Sequence, residues 1–585
     1  MSVNDTGDNY IVNDICKNKT EYMCPRCNVF PACRFSRISN FCKLAKIHKV
    51  LDGPYVLHYG VFLAVWATSL CVLWKRKESF WKWLWEINTD EVRESFRPEY
   101  SMKYTIKPRS RRTGVMQNYT TGFEKYGRAL VVTVLCGALY GAPVLMLVPL
   151  FEHKQKTDIN LMKDKVVSQR NEDIAFIVIF AIKLVIIQII GELIYRIPVH
   201  YITKLVENHR TYECYARAFA LKTFLAAFML TFPILFYYAW VKGLEYFLPV
   251  RLESYAKRDV FLERRGQFSF THCGPFTCLD EVFFVLLATI LIKYMAMPFA
   301  VYLKGLIINT LTDYNQCAVI TKDAPSWERE YRLETVTEVM MARKLTVLMM
   351  QFALVTLVGV AFPLAPLLLL IRNFCDIRYE ARMFVQCRRR PLLLDTALGV
   401  WTPVLQHLAL LSVPSIALTL ARATKAVPRK VYMDSNGSMK GYLFYSMYRM
   451  PTQAYYFFNG TYWDNFHIEY MYMQGYIKNY SKHNFVPKFC HSPGLFEVFN
   501  KNKTNQVIYL ALYADELALK QEYHLVSFGK YYLYFVFSVA GLLYAALLEV
   551  AFPAYSREVI EIMDIERKLK KAYVRMSKTS DKGEQ

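Results

Sequence analysis

The sequence predicts an all-α, polytopic helical membrane protein with about nine crossings, and three observations carry that expectation. Apolar runs recur along the chain at lengths well beyond what a soluble core helix needs. Of the 585 residues, 54% are hydrophobic and 15% aromatic, above the usual globular composition. The formal net charge of +23 is best read as cytosolic loops under the positive-inside rule. Anionic lipid and anionic permeants are secondary readings of the same charge, and nucleic acid is not expected as a partner. No Gly-rich phosphate loop, nucleophile elbow or paired Cys/His zinc spacing occurs, so no enzymatic activity is expected.

Residues 1–54 form a polar, cysteine-rich N-terminal segment without the apolar stretch of a signal peptide. The first insertable run is Tyr55 to Trp74. Lys75, Arg76 and Lys77 follow it directly, whereas charge before it is dispersed, so its C-terminal end is assigned to the cytosol and the N-terminus to the outside. Cys16, Cys24, Cys27, Cys33 and Cys42 then lie in an oxidising space and are disulfide candidates. Cys24-Pro-Arg-Cys27 is also half of a zinc site, but no second close pair or His-x-x-x-His accompanies it. Lys75 to Lys125 reads as a basic cytosolic loop, densest at Lys107, Arg109, Arg111 and Arg112. The next crossings are Tyr126 to Leu150, Ile174 to Tyr195, Ala218 to Trp240 and Leu279 to Leu303, the last two joined by an outer loop holding Cys273 and Cys278. Lys183 and Glu192 fall within one crossing and Lys293 in mid-span of another, consistent with a polar path between helices. Snorkelling accounts for Glu192 near a helix end better than for Lys293.

Leu345 to Phe362 is apolar enough to cross, and Pro363 and Pro366 then break the helix. Arg372, Asp376 and Glu380 follow on one stripe and Arg378 and Arg382 on another, so Leu364 onward is either a second crossing with an acidic stripe or a solvated juxtamembrane helix. Two crossings put Arg388, Arg389 and Arg390 inside and, after Gly399 to Ala421, the segment 424–526 outside. That segment holds four sequons, at Asn436, Asn459, Asn479 and Asn502, which are useful only on the lumenal side; Asn118 in the basic loop is read as a chance match. The last helix lies within residues 527–556, with Tyr531 to Phe552 as its span, and delivers a basic tail, residues 557–585, to the cytosol. Transmembrane helices and basic loops thus fill residues 55–423. With Cys490 added, eight cysteines fall outside, an even set.

Gln351-Phe352 with Phe362-Pro-Leu-Ala-Pro-Leu367, then Asp376-Ile-Arg-Tyr-Glu380, Arg389-Arg-Pro391 and Val427-Pro-Arg-Lys-Val-Tyr432, resembles the anoctamin family of calcium-activated chloride channels and phospholipid scramblases. Ala64-Val-Trp-Ala67 with Trp74-Lys-Arg76, Glu207-Asn-His-Arg-Thr211, Lys242-Gly243, and Cys273 with Cys278 match in the same order. The resemblance implies a ten-helix bundle, a homodimer, a lipid-facing groove, and membrane lipids and chloride or other anions as partners, in the plasma membrane or an endomembrane. The chain begins inside what looks like the family's first extracellular loop, so it is expected to be a divergent short member or an incomplete gene model. The alternative is a non-conducting membrane scaffold or partner-binding protein.

The family's calcium site would use an Asn and a Glu on one helix, two Glu on the next, and a Glu and an Asp on the third. Here the first pair falls on Pro298 and Tyr302 and the second on Lys344 and Val347, so only Asp376 and Glu380 keep carboxylates. Calcium takes about six to eight oxygens, so this remnant is expected to be a poor calcium site. Lys344 is read as the charge that replaces calcium, or as a residue snorkelling beside Arg343. Lys293 falls where the family has a pore-lining lysine.

Overall fold

The computed structural model describes residues 8–24, 36–85, 97–103, 122–163, 172–242, 277–300, 338–389, 399–451, 489–497, 518–519 and 521–583, with isolated residues between 303 and 336. Two short helices, α1 (Asp8–Lys17) and α2 (Cys42–Leu51), precede the first long one, α3 (Val56–Leu84). Then come α4 (Gly122–Leu145) with its continuation α5 (Leu147–Lys163), α6 (Glu172–Tyr201) and α7 (Tyr212–Phe236). The second half holds α8 (Leu279–Ala288), α9 (Glu338–Val358), α10 (Ala365–Arg382), α11 (Trp401–Ala423), α12 (Ala426–Asn436), α13 (Gln521–Ala551) and α14 (Arg557–Gly583). Among the described residues eight helices are long and apolar enough to cross a membrane, and they coincide with the eight apolar runs of the sequence other than α10. The fold class read from the sequence is therefore the one observed.

Two local features differ from the expectation. Residues Lys75 to Leu84 are not loop but the last turns of α3. Glu78 holds them: it pairs with Lys82 one turn on at 2.5 Å and accepts a hydrogen bond from Thr402 of α11. Between α4 and α5 the helix breaks at Met146, because Pro149 has no N–H to donate to the Leu145 carbonyl four residues back and its ring crowds that carbonyl.

The segment around Pro363 and Pro366 is a tight hairpin. A 3-10 turn (Gly359–Ala361) ends α9, Pro366 sits in the first turn of α10, and the two helices run back along each other until Lys344 of α9 pairs with Glu380 of α10. The chain thus returns to the level at which α9 began, as the two-crossing reading requires. Leu367, Leu370, Ile371, Phe374 and Ile377 are all exposed along α10, an apolar stripe suited to lipid, while Arg372, Asp376 and Glu380 are more covered. Too many charges keep α10 out of the eight spans recognised by composition.

Helix α11 is the axis of the bundle: Val413, Ile416 and Leu420 are fully buried against α3, α9 and α13. Gly60 of α3 lets the backbones approach, since a Cβ there would lie 2.7 Å from Leu420 Cδ1. Ser415 donates to the Leu357 carbonyl of α9 at 2.7 Å, and Trp240 donates to Thr419 at 3.1 Å. Along α7 and its π-helical extension (Tyr237–Val241), Phe228, Phe232, Phe236 and Trp240 stack one turn apart with centroids 4.4, 5.4 and 4.1 Å apart.

At one end of the bundle the N-terminal segment and the chain after α12 form one cap. Strands β1 (Tyr22–Met23), β2 (Ser36–Arg37), β3 (Met447–Pro451) and β4 (Phe489–Pro493) make a sheet in the order β2-β1-β4-β3, with Met23 paired to His491 in parallel. Disulfides join Cys16 to Cys42 and Cys24 to Cys490, and Cys278 is also disulfide-bonded. The second bridge takes Cys24 out of any zinc half-site. It also ties β1, which precedes the first long helix, to β4, which follows α12. Cys27, Cys33 and Cys273 lie outside the described residues, as do Asn118, Asn459, Asn479 and Asn502. Asn436 is exposed at the end of α12, where its amide donates to the Tyr432 carbonyl at 3.2 Å.

Candidate functional site

Helix α8 continues as a π-helix (Thr289–Ala296), and this wider turn carries Lys293. π-helical turns inside α-helices are rare and concentrate at functional positions. The Lys293 ammonium pairs with Glu192 of α6, 101 residues away in the chain, and sits 5.5 Å from the Tyr294 ring centroid. Both residues line a cavity of about 100 Å³ between α6, α7, the π-helix and α9. Arg196 and Arg343 line it as well, so three basic groups face one carboxylate among apolar walls such as Val199 and Met350. The excess of positive charge suits an anion, since a charged cleft with low-dielectric walls concentrates its counter-ion.

One residue beyond Arg343, Lys344 points to the other neighbour of α9. Glu380 receives Lys344 and also Arg388, the latter at 3.2 Å, and both cations lie over the Phe384 ring, at 5.4 and 4.9 Å. Asp376 is held by Arg372 at 3.3 Å. Each carboxylate expected to remain from a calcium site is thus already engaged by a basic side chain. Val347 contributes no oxygen from its side chain, nor does Pro298, and Tyr302 lies outside the described residues. Among the described residues no group of three or more His, Cys, Asp or Glu is placed to hold a metal ion. Among the described residues, those at the expected ligand positions do not fit calcium.

A third cluster lies under the cap. Asp280 and Glu281 open α8 and are buried, and each takes a cation from a different element. His48 of α2 reaches Asp280 at 3.0 Å and Asp52 at 3.4 Å; Asp52 in turn holds Arg429 of α12 at 2.7 Å and accepts the Lys425 backbone N–H at 2.8 Å. Lys242, just past α7, pairs with Glu281 at 2.7 Å. Burial alone would push the His48 pKa down, but the carboxylates of Asp280 and Asp52 outweigh it and raise the value to about 9. Burial would likewise raise the Asp52 pKa, yet Arg429 and His48 hold it below the usual carboxylate value. His48 is therefore an imidazolium at neutral pH, a fixed cation pinning the cap to the start of α8.

Of the residues picked from sequence, Lys344, Asp376 and Glu380 gather at the base of the α9/α10 hairpin, and Lys293 stands in the neighbouring cavity, which α9 lines from the face of Arg343, about 100° round the helix from Lys344. The pairing of Lys293 with Glu192 was not readable, although both were singled out as charges within crossings. The His48 cluster was missed; the acidic pair Asp280 and Glu281 at the head of an apolar run was its one signal.

A family model described as "Anoctamin: Calcium-activated chloride channel" matches residues 22–566. Anoctamin-4 of Homo sapiens is 26% identical over 448 residues, covering 74% of this chain and 45% of its own length. Anoctamin-3 of Mus musculus is 27% identical over 440 residues, covering 73% and 43%, and anoctamin-7 of Rattus norvegicus is 26% identical over 448, covering 75% and 50%. The chain spans about half the length of the curated relatives it matches.

Proposed function

The chain belongs to the anoctamin family, and from that premise we propose that it moves anions across the membrane, chloride or the anionic headgroup of a phospholipid, through the cavity beside Lys293. The observation that carries the reading is the imbalance of charge there: among the described residues Arg196, Lys293 and Arg343 face Glu192 alone. The Lys293–Glu192 pair bridges α6 and the π-helix of α8, so passage requires it to part. Calcium is not the trigger in this reading; Lys344 and Arg388 supply the positive charge at Glu380 permanently. The protein works without enzymatic chemistry, as a homodimer in the plasma membrane or an endomembrane. Its N-terminal cap and the sequons at Asn436, Asn459, Asn479 and Asn502 face outward and its C-terminal tail faces the cytosol.

The test is reconstitution into liposomes with parallel chloride-flux and lipid-flip readouts, with and without calcium. Activity in either readout, unchanged by calcium and lowered about tenfold or more by Lys293→Glu, is the expected result. Silence in both readouts would favour a non-conducting scaffold instead.

A further inference from the structure

Only five residues, Phe552 to Ser556, join α13 to the C-terminal helix α14, and Pro553 stops the first helix from running into the second. Five residues reach at most about 18 Å, so α14 begins close to the membrane surface at which α13 emerges. Along α14, Ile562, Ile565, Leu569 and Tyr573 recur at spacings of three and four and share one face. That face is uncovered: all four are exposed, Leu569 at 64% and Tyr573 at 75%. Among the described residues of the helix only Val559 is buried.

Charge divides along the same helix. Glu558, Glu561, Asp564 and Glu566 crowd its start, whereas Arg567 to Lys578 holds six basic residues and no acidic one. Acid first and base last suits the helix dipole, but the dipole gives no reason for a bare apolar stripe. An apolar face beside a cationic one is the pattern of a helix lying in a bilayer interface. Lys568 and Lys570 flank Leu569 in the sequence and fall on its two sides on the helix, so in-register pairing of two copies along this stripe would set lysine against lysine.

We propose that α14 lies along the membrane surface, its Ile562-to-Tyr573 stripe in the headgroup boundary and the flanking Lys568 and Lys570 on the phosphates of anionic lipid, with Arg567 and Lys571 adding positive charge from the outer face. The attraction grows with each basic residue near the surface, which makes docking depend on lipid charge. Hydrogen exchange of the full chain in nanodiscs of phosphatidylcholine, with and without phosphatidylserine, tests this. Both leaflets of a disc carry the same lipid, so the result is independent of orientation and of any flux activity. Amides of residues 562–573 should exchange about tenfold more slowly with phosphatidylserine. The difference should vanish in the triple variant Lys568→Glu, Lys570→Glu, Lys571→Glu and in Leu569→Asp. Equal exchange in the two lipids overturns the proposal. Protection in both lipids that disappears when the protein is made monomeric overturns it in favour of a second copy on the stripe.

Discussion

Removing the Lys344 ammonium tests whether the hairpin carries its own substitute for a divalent ion. Two unit charges in contact attract by about 4 kcal/mol at an effective dielectric of 20. The side chains of Lys344 and Glu380 are 28% and 25% exposed, so desolvation and screening reduce the net value to about 1–2 kcal/mol. Arg388 stays on Glu380 in Lys344→Ala, which keeps the loss near the lower figure. Lys344→Glu instead sets a third carboxylate beside Glu380 and Asp376, and its loss should be about 2–4 kcal/mol. Since about 1.4 kcal/mol is tenfold, the alanine variant should loosen the paired hairpin by up to about tenfold and the glutamate variant by more. Thermal unfolding in detergent, followed by tryptophan fluorescence, should rank the midpoints as wild type, Lys344→Ala, Lys344→Glu, with Lys344→Arg near wild type. Basal flux should fall in the same order, and neither calcium nor a chelator should alter the unmodified protein. Robust activation of that protein by micromolar calcium, abolished by Asp376→Ala, would refute the reasoning, as would a Lys344→Glu variant as stable as wild type.

Three further outcomes follow from the cap and the bundle axis. Because the folded-state pKa of His48 lies near 9, above its ordinary 6.5, its contribution is complete below about pH 6.5 and disappears as pH rises through 9. The thermal midpoint should fall across that alkaline window by an amount equivalent to about 3 kcal/mol, and His48→Gln should be less stable at neutrality and flat over the same range. Cys24→Ser should cost about 2–4 kcal/mol by freeing the 466-residue connection to Cys490, and peptide mapping without reduction should recover the Cys24–Cys490 link; labelling of both thiols in the unreduced protein would contradict it. Gly60→Val forces a Cβ against Leu420 and should lower the midpoint by about 1–3 kcal/mol, whereas Gly127→Val, at a glycine with no atom within 4 Å of an added Cβ, should change little.

The spans were legible because lipid imposes one rule on every crossing: backbone groups must be satisfied within the helix, and the side chains must be apolar over about 20 residues. That rule says nothing about where a helix stops once it has left the membrane. The misread stretch Lys75 to Leu84 shows it, since the helix is prolonged there by Glu78 meeting Lys82 and Thr402, the latter 324 residues away. Helix α10 fails the rule by composition yet turns back and meets α9 again where Glu380 takes Lys344, because Arg372, Asp376 and Glu380 lie away from the exposed stripe through Leu370 and Ile377. Periodicity found that division, but only the sequons and the arginine triplet Arg388 to Arg390 decided that the chain turns back.

Individual site residues were legible where a charge stood alone in an apolar run, as with Lys293 and Glu192, because such a group must find a partner or water. Which partner it finds depends on the rotation of α6 against the π-helix of α8, and a π turn shifts every residue after it by a fraction of a turn that no apolar pattern in Thr289–Ala296 records. The His48 cluster was illegible for a different reason: His48, Asp52 and Arg429 are ordinary polar residues in polar segments, and they become a buried network only when the cap closes over Asp280. Lys344 lies between these cases. Its place opposite Glu380 was reached by counting from Gln351 along a family pattern, and the hairpin brings the two together through Phe362-Pro-Leu-Ala-Pro-Leu367, the turn that fixes how far α10 retraces α9. A single residue inserted within α10 ahead of Asp376 would rotate Asp376 and Glu380 by about 100° about the helix axis and away from Lys344, so the ion pair depends on the count of residues between the proline turn and Glu380.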